Sequence, residues 1–176
     1  MELESVQSGK YIDWEKLVLR TGVTNNHSLS ISSGTEKTII FSSINYINTS
    51  GVIPNSDFEK VAMRVNVDQR ITDWLKIGMN VSLQYSETNR PNVGNILNNA
   101  INTSPLGQIY NEDGSFRYLP GGIQETPNPL IDVYETNTNE LNRNDIMNIF
   151  LDINLAKGFT YKLNASRRSW NYKAMS

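Results

Sequence analysis

Residues 75–86 read LKIGMNVSLQYS, and every second one is apolar: Leu75, Ile77, Met79, Val81, Leu83 and Tyr85. Between them stand Lys76, Gly78, Asn80, Ser82, Gln84 and Ser86. In an extended strand successive side chains point to opposite faces, so one face here is apolar throughout and the other polar. The stretch matches the ~9–11 residues that a tilted strand needs to cross a bilayer. It is longer than the ~5–6 residues of a common globular strand.

The flanking sequence keeps the same period. Val61, Met63, Val65 and Val67 alternate with Ala62, Arg64, Asn66 and Asp68. Met147, Ile149, Leu151, Ile153 and Leu155 alternate with Asn148, Phe150, Asp152 and Asn154. Phe159, Tyr161, Leu163 and Ala165 alternate with Thr160, Lys162, Asn164 and Ser166. Nearer the start, Ile40, Ser42, Ile44 and Tyr46 share a face opposite Phe41, Ser43 and Asn45, and Leu29 and Ile31 stand between serines. Six strands are predicted. Short turns at 33–36, Thr72-Asp73 and Lys157-Gly158 alternate with longer loops at 48–57 and 90–142. Outer-membrane barrels show that asymmetry, with short periplasmic turns and long extracellular loops.

Two helical segments are predicted. One lies within 11–20, with Asp13 as cap and Trp14, Leu17 and Val18 on one side; the other spans 93–101. Residues 111–115, NEDGS, read as a tight turn of a small hairpin.

Composition narrows the function. Among 176 residues 38% are hydrophobic, and the net charge of −2 gives no electrostatic reason to bind nucleic acid. The absence of cysteine excludes disulfides and thiolate metal sites. No apolar run approaches the ~18 residues of a helical membrane span. The opening MELESVQSGKYIDWEKL lacks the basic-then-apolar pattern of a secretory signal and, read alone, predicts a soluble cytoplasmic protein. His27 is the sole histidine, so a Ser-His-Asp triad has one position to use, and a structural role fits it better. Glu87, Asp113 and Glu125 show no paired spacing, and no phosphate loop or metal motif is present. No enzyme, metal or cofactor is expected.

Pattern alone leaves two architectures open. A soluble sandwich, such as a secreted glycan-binding or adhesion module, also alternates apolar and polar residues. A barrel segment explains the Asn, Ser, Gln, Arg and Asp of the polar face as the wall of a wet lumen. It also explains aromatics near strand ends on the apolar face (Tyr46, Trp74, Tyr85, Phe159 and Trp170) as interfacial girdles.

Residues 13–91 resemble a SusC/RagA-type TonB-dependent outer-membrane transporter. The likeness rests on DWEKLVLRTGVTNNHSLSISSGTEKT and on FSSINYINTSGVIPNSDFEKVAMRVNVDQRITDWLKIGMNVSLQYSETNRPN. It extends more loosely through SPLGQIYNEDGSF and NPLIDVYE. Ser33 stands where the family has the first glycine of its hairpin, and Asn45 where it has the glycine before a tyrosine.

The resemblance implies an all-β antiparallel up-and-down meander, roughly the second to seventh strands of a plugged barrel of ~22. The plug, the TonB box and the other strands lie outside the sequence, so the piece is not transport-competent alone. The parent would import glycan oligomers or peptides through the outer membrane of a Bacteroidota-like Gram-negative bacterium. Its partners would be TonB, a SusD-type surface lipoprotein and membrane lipid.

The resulting organisation is an extracellular-loop remnant with a short helix (1–22), four strands (23–89), a long extracellular loop (90–143) and two further strands (144–176). Leu75, Ile77, Met79, Val81, Leu83, Tyr85, Ile149, Leu151 and Ile153 are expected to face lipid. Arg64, Asn66, Asn80, Ser82, Gln84, Asp152 and Asn154 are expected to face the lumen. Tyr110, Phe116 and Tyr118 in the long loop are the candidate cargo contacts, because aromatic faces stack on sugars and side chains.

Overall fold

The computed structural model describes Gly9, residues 11–122 and residues 126–175. Glu125 and most of the segment before Tyr11 lie outside the described residues. Six strands form one sheet in the order of the chain: β1 (Val23–Gly34), β2 (Thr38–Ser50), β3 (Asp57–Arg70), β4 (Leu75–Pro91), β5 (Asn137–Ala156) and β6 (Phe159–Met175). Every neighbouring pair is antiparallel. The expected meander is therefore present, and the sheet is open: among the described residues β1 and β6 are its edges.

Each short turn has a local cause. At the β1–β2 turn the Thr35 hydroxyl accepts from the Thr38 amide at 3.0 Å, and the Thr35 amide donates to the Thr38 carbonyl at 2.7 Å. Between β3 and β4 the Thr72 hydroxyl accepts from the Leu75 amide at 3.1 Å. The β5–β6 turn runs through Gly158 at φ +83°, a left-handed conformation that an L side chain would strain.

Three helices sit at the opposite end of the sheet from these turns: α1 (Trp14–Val18), α2 (Val93–Asn102) and α3 (Pro129–Tyr134). Asp13 caps α1, accepting from the Lys16 amide at 3.0 Å. The strands near the helices outrun the reading from sequence. β4 continues to Pro91 and β5 begins at Asn137, so the long loop is shorter than residues 90–143. Apart from Leu141 and Pro91, residues 137–144 and 86–91 are polar on both faces, so no alternation marks them. They are held instead by the ladder and by cross-strand polar contacts, with Asn139 Nδ2 donating to Glu87 Oε1 at 2.6 Å and Arg90 3.3 Å from Glu140.

The only buried apolar cluster among the described residues lies in this helical cap and not under the sheet. It comprises Trp14, Val18, Ile53, Ile96, Ala100, Leu130 and Val133. No described helix is long and apolar enough to cross a membrane, which says nothing about strands.

Candidate functional site

Register joins the alternating residues of the separate strands into continuous rows. One row on the apolar face reads Ser33, Ile40, Val67, Met79, Ile149, Ala165 from β1 to β6. The next row towards the cap reads Ile31, Ser42, Val65, Val81, Met147, Arg167. Both the β4 and the β5 residues expected to face lipid fall on this one face. Nothing in the described chain covers it: Leu29 is 62% exposed, Ile149 42% and Leu163 48%.

The apolar belt crosses the rows at a slant. In β1 it ends towards the turns at Ile31, whereas in β6 it starts at Phe159 and ends towards the cap at Ala165. The short turns step in the same sense. The row that leaves the turn at Gly34 passes Ile39, Asp68, Gly78 and Phe150 and reaches Asn164, five residues inside the start of β6 at Phe159. That is about one residue per strand pair; with ~3.3 Å per residue and ~4.8 Å between strands, it tilts the strands by ~35° from the perpendicular to the line of the turns. The value lies at the lower end of the ~35–45° of transmembrane barrels.

The opposite face is polar and partly charged. Arg64, Asn66, Asn80, Ser82, Gln84, Asp152 and Asn154 all lie on it. Lys76 bridges to Asp68 at 2.8 Å, and Lys162 lies 3.9 Å from Asp152. Phe150 also lies on this face, its ring across the bare backbone of Gly78 and 5.5 Å from the Lys76 ammonium. Trp170 belongs here too, in register with Asn144 and donating from Nε1 to Asn142 Oδ1 at 2.7 Å. Its expected place among the girdle aromatics of the apolar face is corrected. No bulge interrupts β6 between Tyr161 and Trp170, so an even-numbered residue stays on the polar side.

The cap is held by short-range geometry and one buried amide. Arg20 bonds the Gly51 carbonyl at 2.9 Å and Asp57 at 2.7 Å, tying α1 to the β2–β3 loop. Ile53 from that loop enters the core between the helices. Trp14 Nε1 donates to the Ser104 carbonyl at 2.9 Å. Asn128 is fully buried and fully used: Nδ2 donates to the Ile109 and Arg117 carbonyls at 3.0 and 3.1 Å, and Oδ1 accepts from the Leu130 amide at 3.0 Å. A buried polar side chain is stable when its bonding capacity is met this way.

Two of the three loop aromatics come together, and Tyr118 stands apart. Tyr110 stacks on Phe116 with centroids 5.4 Å apart, and Phe116 stacks on Tyr134 at 5.9 Å and packs against the cap core. Tyr110 edges an open hollow of about 590 Å³ together with Tyr11, Gln108 and Glu112. Tyr118, 63% exposed, edges a separate cleft of about 260 Å³ with Asn95, Asn99, Asn128 and Asp132. Asn99 Nδ2 lies 3.4 Å from Asp132 Oδ2 there. The sequence reading missed these partners because α3 was not expected. Its signal was present in Asn128-Pro129, a cap followed by a proline at the first helical position.

Of the remaining residues singled out, His27 is an exposed β1 residue in register with Tyr46. Asp113 accepts from the Ser115 hydroxyl at 2.6 Å and the Ser115 amide at 2.9 Å, which hold its carboxyl below the ordinary carboxylate value. The described residues contain no group of three or more His, Asp or Glu that could hold a metal ion.

Comparison with known proteins adds an independent line. No family model matches the chain. The chain is 36% identical over 139 residues to the TonB-dependent receptor P26 of Formosa agariphila, a match covering 78% of this chain and 14% of that protein. It is 23% identical over 110 residues to the TonB-dependent receptor SusC of Bacteroides thetaiotaomicron, covering 62% of this chain and 11% of SusC. In fold it superposes on the RagAB peptide importer in its closed-closed state with a TM-score of 0.71 at 21% identity, over 93% of this chain and 19% of that one. The chain thus spans about a seventh of the length of the relative P26.

Proposed function

The chain belongs to the SusC/RagA-type TonB-dependent receptors, and from that premise we propose that it forms six consecutive strands in the barrel wall of an outer-membrane importer. One observation carries the reading. The apolar belt is exposed, lies wholly on one face, and slants across the strands in step with the short turns. A soluble sheet buries its apolar face against a second layer, and the described residues supply none. Lipid is the solvent that suits such a face.

In this arrangement Leu75, Ile77, Met79, Val81, Leu83 and Tyr85 of β4 and Ile149, Leu151 and Ile153 of β5 meet the hydrocarbon. Arg64, Asn66, Asn80, Ser82, Gln84, Asp152 and Asn154 line the interior. The helical cap stands on the extracellular side. Six strands leave two open edges, and unpaired backbone groups at an edge are costly in hydrocarbon. The chain therefore acts as part of a longer closed wall and does not transport alone.

The whole receptor is proposed to import glycan oligomers or peptides in the manner named for the RagAB peptide importer. TonB would drive it, and a SusD-type lipoprotein would cover its outer end. Tyr118 and its Asn- and Asp-lined cleft are the best-formed cargo contact in this chain, with exposed Tyr110 in second place and Phe116 behind it as the ring on which Tyr110 stacks. The role is not enzymatic.

Single cysteines at Met79, Leu151, Asn80 and Asp152 of the protein at its full natural length, in cells, test the placement. A membrane-impermeant thiol reagent should spare Met79 and Leu151 and react with Asn80 and Asp152 once the outer membrane is permeabilised. Equal labelling of both sets would overturn it.

A further inference from the structure

Where the belt slants below the cap, its face carries a second feature, on β5 and β6. The row that contains Val81 and Met147 ends on Arg167, and the next row ends on Ser169 beside Asp145. These residues with Leu83 line a hollow of about 270 Å³ on the apolar face. A smaller hollow of about 110 Å³ continues it towards the cap, edged by Tyr85, Arg143 and Lys173. The furrow is therefore apolar at its lower end and basic along one side.

Charge within the furrow is not balanced. Asp145 is taken by Arg143 at 2.8 Å. Arg167 and Lys173 have no carboxylate partner among the described residues. The nearest other acid on this face towards the cap, Glu87, sits in the row of Lys173 across Leu141 and accepts from Asn139 at 2.6 Å. An arginine at the margin of an apolar belt lays its stem along the apolar surface and lifts its head to the polar boundary. That geometry brings the Arg167 guanidinium to the height where headgroups of the outward-facing leaflet lie.

We propose that this furrow seats a phosphate-bearing membrane lipid, its acyl chain against Val81, Leu83 and Met147 and its phosphate against Arg167 and Ser169. Lys173 adds positive potential above it, whereas Arg143 is neutralised by Asp145. The inference rests on the reading of the apolar face as lipid-facing. Charge complementarity selects the occupant: a neutral lipid or an apolar helix would leave Arg167 unanswered, and a free anion would leave the apolar floor of the hollow unused.

The test uses the protein at its full natural length in phosphatidylcholine vesicles with spin-labelled phosphatidylcholine or spin-labelled phosphatidic acid, read by the motionally restricted fraction. Phosphatidic acid should be preferred. Arg167→Gln should lower that preference about fivefold, and adding Lys173→Gln should lower it by a similar factor again, as each basic residue near an anionic headgroup contributes to that extent. Arg64→Gln, which removes a charge from the other face, should leave the preference unchanged and serves as the folding control. Equal restriction of both lipids in the unmodified protein overturns the proposal. Displacement of phosphatidic acid by inorganic phosphate also overturns it, since the site would then be for a free anion. No restricted lipid of either kind overturns the lipid-facing reading itself, and this proposal with it.

Discussion

Phe150 lies across the backbone of Gly78, so close that a β-carbon at position 78 would occupy the space of the ring. The two residues are directly paired in the β4–β5 ladder. The glycine gives up side-chain packing, and the aromatic from the next strand restores it. Gly78→Ala should force the ring away and destabilise the sheet by ~1–3 kcal/mol, the usual range for overpacking. Phe150→Ala should remove most of the cost of Gly78→Ala and leave only the close approach to the Asp68 carboxylate, and a double-mutant cycle in a urea unfolding series measures the coupling.

Asn128 should matter to the cap and not to the strands. Asn128→Ala removes the Nδ2 donor shared by the Ile109 and Arg117 carbonyls and leaves α3 without its cap, a loss of ~1–2 kcal/mol within that unit. Hydrogen exchange should show faster opening of 105–122 and 126–134 with the β3–β4 ladder unchanged. Uniform loss of protection throughout the sheet would mean that cap and sheet unfold as one.

The two faces should respond oppositely to charge. Leu151→Lys falls at the centre of the proposed lipid face and should cost ~2–4 kcal/mol of assembly stability. Asn80→Lys, on the other face, should be tolerated within ~0.5 kcal/mol. Heat-modifiable migration of the folded barrel on gels distinguishes them.

Asp113 gives the pH dependence. Hydrogen bonds from Ser115 lower its pKa below the ordinary 3.8, so the folded turn favours the carboxylate. The depressed value means that its contribution is present above pH 3.8 and is lost as pH falls through the folded pKa. Ser115→Ala should move the Asp113 titration, followed by carboxyl-carbon NMR, back up towards the ordinary value.

What the sequence disclosed follows from where its information is local. The period-two runs of β3 and β4 and the turn at Lys157-Gly158 are decided by residues a few positions apart, so they could be read directly. The cap core could not. Trp14, Ile53, Ile96 and Leu130 come from four separate segments, none of which looks like a core by itself. The outer ends of β4 and β5 were invisible for a different reason: with almost only polar residues on both faces, pairing there leaves no alternation to read. Among the loop aromatics, residue type singled out Tyr118, but only the fold supplied Asn95, Asn99 and Asp132 around it.

The one-residue step from strand to strand has a consequence for assembly. Each hairpin inherits its depth from the one before, as each turn of a screw thread fixes the height of the next. A register slip of two residues in β2 against β3 would keep every side chain on its proper face and so escape correction by hydrophobicity. It would still displace β1, and anything joined beyond it, by ~7 Å along the strand. The Gly78–Phe150 contact and the Lys76–Asp68 bridge are made at one alignment only, and they act as index marks that expose such an error in the strand pairs β4–β5 and β3–β4 where they occur.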